Sequence, residues 1–151
     1  MRHFLTGIAR TAVLATSLVV AAALPAVAQN LFSPVVKVND QAITGYEIQQ
    51  RARMLTLFRA PGNPTELARE QLIEERLKVD AARAVGLVLE DADIQVGMEE
   101  FASRANMTAA EFVSALEGAG VSEQSFRDFV RAGVTWRELV RDRFASRVSV
   151  S

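Results

Sequence analysis

Helix-start signatures recur along this chain at intervals short enough to leave room for little besides helices. Thr44 with Glu47 and Thr108 with Glu111 are capping boxes, in which the Thr oxygen accepts an early helical amide and the Glu reaches back to the Thr amide. Asn63-Pro64-Thr65-Glu66 offers a capping Asn, a proline at the first helical position and a glutamate three residues after the cap. Asp91 and Asp93 suit the positive dipole end of another helix, and Ser122 caps a last one. Stops follow the first, second and fourth of these starts in chain order: Arg59-Ala60-Pro61-Gly62, Gly86, and Gly118 with Gly120.

Apolar spacing between these marks agrees with helices. Ile48, Ala52, Leu55 and Phe58 line the first; Ala68, Leu72, Ile73, Leu77, Ala81 and Ala84 the second; Ile94, Gly97, Met98, Phe101, Ala102 and Ala105 the third. Phe112, Val113 and Leu116 line a short fourth. Phe126, Phe129, Val130, Gly133, Trp136, Leu139, Val140 and Phe144 mark a fifth of about 25 residues. Gly133 inside that helix costs about 1 kcal/mol relative to Ala, which predicts close packing or a bend there. Ahead of the helices, Val35–Val38 and Gln41–Ile43 flank Asn39-Asp40, a turn pair suited to a tight hairpin. The expected fold is mainly α, about five helices with a small N-terminal β-hairpin.

The first 28 residues read as a leader for export. Arg2 and Arg10 supply a basic start, Ala12–Leu24 an apolar run too short to span a bilayer, and Ala26-Val27-Ala28 an A-x-A site with cleavage before Gln29. The organisation expected is then a signal peptide at 1–28, an irregular lead at 29–34, a helical domain at 35–147, and a strand-like piece at 148–151, Val148-Ser149-Val150-Ser151, leading elsewhere.

Removing Arg2 and Arg10 leaves 15 basic against 18 acidic side chains, a net of about −3 that gives nucleic acid no electrostatic footing. The chain has no cysteine, and its one histidine, His3, lies in the leader. The remaining residues hold no thiolate or imidazole for a metal, no Ser-His-Asp triad and no Cys-His pair. No cofactor and no metal is expected. Glu74-Glu75 and Glu99-Glu100 are neighbours about 100° apart on a helix, so neither pair is a catalytic dyad, and no catalytic residue is assigned. Asn106-Met107-Thr108 matches a glycosylation triplet, but Thr108 is better used as a cap.

Two surfaces invite a partner. Met54, Leu55, Leu57 and Phe58 widen the apolar arc of the first helix beyond one ordinary contact. Such an arc either packs on two sides or leaves one open to apolar ligands, for which Met and Phe are well suited. Arg127, Arg131, Arg137, Arg141 and Arg147 run along the last helix. They read as a solvated face partly paired with Glu123, Glu138 and Asp142, or as a surface for acidic ligands or lipid headgroups.

The hairpin Val36–Ile43 entering a capped helix, then Leu72-Ile73-Glu74-Glu75-Arg76-Leu77, then Gly86-Leu87 leading to Asp91-Ala92-Asp93-Ile94, resembles the N-terminal domain of SurA-type periplasmic chaperones. Asn106-Met107-Thr108, Phe112, Leu116, Gly120, Phe126-Arg127 and Val130-Arg131 are similar to that domain's later helices, so the likeness runs over Val35–Val150. It implies a periplasmic protein without stable membrane insertion that binds unfolded outer-membrane β-barrel polypeptides and delivers them towards the assembly machinery. Met54, Leu55, Leu57 and Phe58 are then the candidate client-binding residues. Family members usually continue into parvulin-type peptidyl-prolyl isomerase domains and a C-terminal segment that packs back, whereas this sequence stops at Ser151, where that link would begin. A truncated chain is the expectation. The alternatives are the N-terminal part of an isomerase whose catalytic domain is absent here, and an exported helical adaptor.

Overall fold

Residues 31–145 are described by a computed structural model, and the leader, the cleavage triplet, Arg147 and Val148–Ser151 lie outside them. Strand β1 (Pro34–Val38) pairs antiparallel with β2 (Gln41–Thr44), Val36 opposite Ile43 and Val38 opposite Gln41. Asn39 takes the left-handed conformation (φ 52°) that the tight turn demands. Five helices follow: α1 (Gly45–Leu57), α2 (Pro64–Ala84), α3 (Asp91–Ser103), α4 (Ala109–Gly118) and α5 (Glu123–Ala145).

The starts form as the local chemistry dictates. Thr44 Oγ1 accepts the Glu47 amide at 3.2 Å while Glu47 Oε2 accepts the Thr44 amide at 2.8 Å. The same exchange joins Thr108 and Glu111. Asn63 Oδ1 accepts from the amides of Thr65 and Glu66, and Ser122 Oγ from Ser125. On α3 the sequence's two aspartates divide the work: Asp93 accepts the Glu90 amide at 3.0 Å, and Asp91 bonds outward to Arg127.

The first four helices stop alike. The amides of Ala60, Leu87, Met107 and Val121 return to the carbonyls of Leu55, Ala82, Ala102 and Leu116, at 2.9–3.2 Å. Each return follows a residue with positive φ: Arg59, Gly86, Asn106 and Gly120.

Two apolar clusters meet across α1. Met54 joins Ile94, Met98, Leu116, Val121 and Phe126 in one; Leu55 joins Val38, Ile43, Ile48, Ala68 and Leu72 in the other. The wide arc of α1 is therefore two adjoining contact faces. Phe58, Phe101, Phe112, Phe126 and Phe129 close the first cluster with ring centroids 5.1–6.5 Å apart.

Several expected inward positions turn out to be exposed. On α2 the inward line runs through Ala68, Leu72, Glu75, Val79 and Ala82, so Leu77 is half exposed and Ala81 and Ala84 face water. Following apolar residues alone misses this line because a glutamate occupies one of its positions. Ala105 is exposed too, just beyond the end of α3. Trp136 and Phe144 are substantially exposed on α5.

The two glycines in helix interiors, Gly97 and Gly133, exchange roles. A Cβ on Gly133 would meet nothing within 4 Å, so the close packing expected there is absent. A Cβ on Gly97 would lie 2.6 Å from Val134 Cγ2 and 2.9 Å from Val130 Cγ1, which makes Gly97 the point of close approach between α3 and α5. Gly133→Ala is expected to stabilise the fold by roughly 0.5–1 kcal/mol through helix propensity. Gly97→Ala, with the same propensity gain, is expected to destabilise because overpacking costs about 1–3 kcal/mol. Urea denaturation of the two variants checks the opposite signs.

The Thr108 amide, then its hydroxyl, hold the Glu111 carboxyl below its ordinary value of 4.5. A depressed folded-state value means that the stability Glu111 lends is present above pH 4.5 and is lost as pH falls through the lowered value. Thr108→Ala is expected to return the group towards 4.5, read by NMR titration of the carboxyl carbon.

Candidate binding cleft

The helix α5 packs against both α2 and α3, and where it passes between them its surface is bare at Gly133. The result is an open cleft of about 420 Å³. Phe101, Phe129, Val130 and Trp136 give it apolar lining; Glu74, Glu75 and Lys78 come from α2, Glu100 from α3, Arg104 from that helix's C-terminal cap, and Arg137 from α5.

Charged and aromatic groups along the cleft hold one another in place. Arg51 is 3% exposed at its side chain and grips Glu75 with two bonds, Nη1 to Oε1 at 2.5 Å and Nη2 to Oε2 at 2.9 Å. It also donates to Gln71 Oε1, and its guanidinium lies 4.9 Å from the centroid of the Phe129 ring. Lys78 Nζ bonds Glu74 at 2.8 Å and sits 5.4 Å from the centroid of Trp136. Arg137 bonds Glu100 at 2.9 Å, and Arg104 lies over Phe101 at 5.7 Å.

The arginines of α5 are largely paired, though not with all the partners expected. Arg127 pairs with Asp91 and Arg131 with Asp128; Arg137 and Arg141 both reach Glu138. The adjacent carboxylates diverge, Glu74 and Glu75 to separate cations, Glu100 to Arg137 and Glu99 to the Ala109 amide. Among the described residues no group of three or more acidic or histidine side chains is placed to hold a metal ion.

The four residues named from the arc of α1 are not brought together. Met54 is sealed in one cluster and Leu55 in the other, so neither can meet a ligand without repacking α1. Adjacent helical positions point about 100° apart and α1 is covered on both sides, so the four side chains do not share one face. Phe58 is partly covered by Phe101, Phe112 and Phe129, and Leu57, 43% exposed, faces solvent. The cleft itself escaped sequence reasoning. Its one available signal was Gly133 flanked by Phe129 and Trp136 on the same helix.

The buried Arg51–Glu75 pair makes a sharp stability prediction. Glu75→Ala strands a desolvated guanidinium and is expected to cost about 3–5 kcal/mol, whereas replacing both partners by Met and Leu is expected to be near neutral. Thermal and urea denaturation of the single and double variants decide it.

Comparison with known proteins agrees with this architecture. The SurA N-terminal domain family matches residues 34–140. The Chaperone SurA of Alkalilimnicola ehrlichii is 28% identical over 148 residues, covering 93% of this chain and 34% of that protein. The Chaperone SurA of Burkholderia lata is 31% identical over 154 residues, covering 91% and 34%, and that of Burkholderia orbicola is 30% identical over the same length. The chain thus spans about a third of the length of these curated relatives. No solved structure matches it significantly. With the hairpin, the first four helices and most of α5 falling within the matched region, the chain belongs to the SurA N-terminal domain family.

Proposed function

We propose that this chain is an exported chaperone module that holds unfolded outer-membrane β-barrel precursors in the periplasm, without chemistry of its own, and passes them towards the outer-membrane assembly machinery. The observation that carries the reading is the open cleft with aromatic lining on a domain of the SurA family. Other large apolar side chains, Leu77, Val88, Val96 and Phe144, are well exposed elsewhere on the domain. Barrel precursors present alternating apolar residues and unpaired backbone groups that aggregate in water. A shallow surface of adaptable side chains can hold such chains weakly without requiring one sequence. Export through cleavage after Ala28 supplies the compartment, and no helix among the described residues is long and apolar enough to cross a membrane. Leu57, and the exposed edge of Phe58, extend the proposed client surface.

The chain is expected to suppress aggregation of a urea-unfolded β-barrel protein at near-stoichiometric ratio and to leave proline isomerisation of a test peptide unaccelerated. Leu57→Asp, at an exposed position, is expected to weaken suppression several-fold with the melting temperature unchanged. Light scattering during dilution from urea reads both. Unaltered suppression by that variant removes Leu57 from the client surface, and no suppression by the parent chain overturns the chaperone reading.

A further inference from the structure

The row of α5 that enters the apolar core does not end with it. Phe126 and Val130 are buried there, and Phe129 packs beside them. Continued at helical spacing, the same row runs through Gly133, Trp136, Arg137, Val140, Arg141 and Phe144. This stretch is uncovered. A Cβ on Gly133 would meet nothing within 4 Å, and Trp136 and Phe144 are 41% and 52% exposed. The side chains of Arg137 and Arg141 are open to water, and Val140 is half-buried. Lys78 of α2 reaches Trp136 from one side and Glu100 of α3 reaches Arg137 from the other, so the two helices flank the row without closing over it.

Read backwards, the row is complementary to itself. Gly133 and Phe144 lie equally far from a midpoint between Glu138 and Leu139, and so do Trp136 and Arg141, and Arg137 and Val140. A bare backbone thus answers a large ring, an indole answers a guanidinium, and the aliphatic stem of an arginine answers a valine. We propose that α5 is a self-association helix, on which a second copy of this chain lies antiparallel about a two-fold axis at that midpoint. Phe144 settles over the partner's Gly133, and Arg141 over the partner's Trp136. Charge selects this register. A parallel pair would set Arg137 and Arg141 against their own copies, whereas the antiparallel pair gives each an uncharged neighbour. Such a contact is isologous, so it closes at two copies. It covers about three helical turns, less than the roughly 1,200 Å² of a stable interface, so association belongs at micromolar concentrations or above. The inference stands apart from the chaperone reading.

Sedimentation velocity of the chain from about 1 µM to about 1 mM brackets such an affinity. A monomer–dimer transition is expected, with a parallel shift in the emission of Trp136, the only tryptophan of the chain. Gly133→Leu, whose side chain enters open space in its own copy, and Phe144→Asp, at an exposed position, are each expected to weaken association about tenfold or more. Circular dichroism is expected to show the helices intact in both. Val88→Asp, at a still more exposed position off the row, is expected to leave association unchanged. The chain has no cysteine, so introduced pairs read the register. Mixing Arg137→Cys chains with Val140→Cys chains under mild oxidation is expected to give a disulfide-linked mixed dimer, and none when both also carry Phe144→Asp.

A chain that stays monomeric at about 1 mM overturns the proposal. Association that survives both Gly133→Leu and Phe144→Asp, or that Val88→Asp weakens equally, overturns it too. Dimers that form without the mixed cross-link overturn the antiparallel arrangement. None of these results touches the chaperone reading, because holding an unfolded chain does not need a second copy.

Discussion

Arg51 stands where α1, α2 and α5 meet. Its guanidinium takes both oxygens of Glu75 on α2 and lies against the Phe129 ring of α5, with almost no contact with water. A charge so placed is tolerable only because every partner is in position, for a desolvated ion left alone costs several kcal/mol. The pair therefore acts more as a condition on the arrangement than as a source of stability. Sliding α2 along α1 by one turn would remove Glu75 from Arg51, whereas the surrounding aliphatic contacts could readjust. Gln50 pins the other side of the same helix, accepting the Ser122 amide and donating to the Gly120 carbonyl at the start of α5. Between these two polar anchors the apolar faces of α1 serve separate clusters.

This division explains which parts of the fold are legible in the sequence. Helix starts and stops are local. Thr44 with Glu47, Asn63 with Glu66 and Thr108 with Glu111 each complete their hydrogen bonds within three residues, so the residues alone specify them. The stop at Asn106 is less visible than that at Gly86, since a non-glycine residue takes positive φ there. What depends on a distant partner cannot be read this way. Glu75 lies on the inward line of α2 because Arg51, 24 positions earlier, awaits it. An apolar count passes over it and selects Leu77 instead. Gly97 and Gly133 are alike in a helical pattern, and only the valines of the facing helix distinguish a tight crossing from an open floor.

The candidate site was legible to a still smaller degree, for the same reason. An apolar arc on α1 is evident from Ile48 to Phe58, but whether it is covered depends on where the hairpin, α2 and α3 come to rest. They cover it on both sides. The cleft arises elsewhere, from three helices whose mutual spacing leaves Gly133 uncovered. Residues from Gln71 to Arg137 contribute to it, a separation that no local pattern encodes.

Charge placement around that cleft also bears on how such a surface can remain in water unoccupied. Exposed aromatic area normally drives association. Here Lys78 covers one ring, Arg51 another and Arg104 a third, each at cation–π distance. These contacts are modest, about 0.5–1 kcal/mol where exposed. Lys78 and Arg104 can therefore swing aside for a ligand at small cost, while Arg51, buried and doubly bonded, cannot. Weak contacts over a rigid buried one leave the apolar floor coverable in water at small cost to a ligand that displaces them. That combination suits the weak and reversible retention of unfolded chains proposed for this domain.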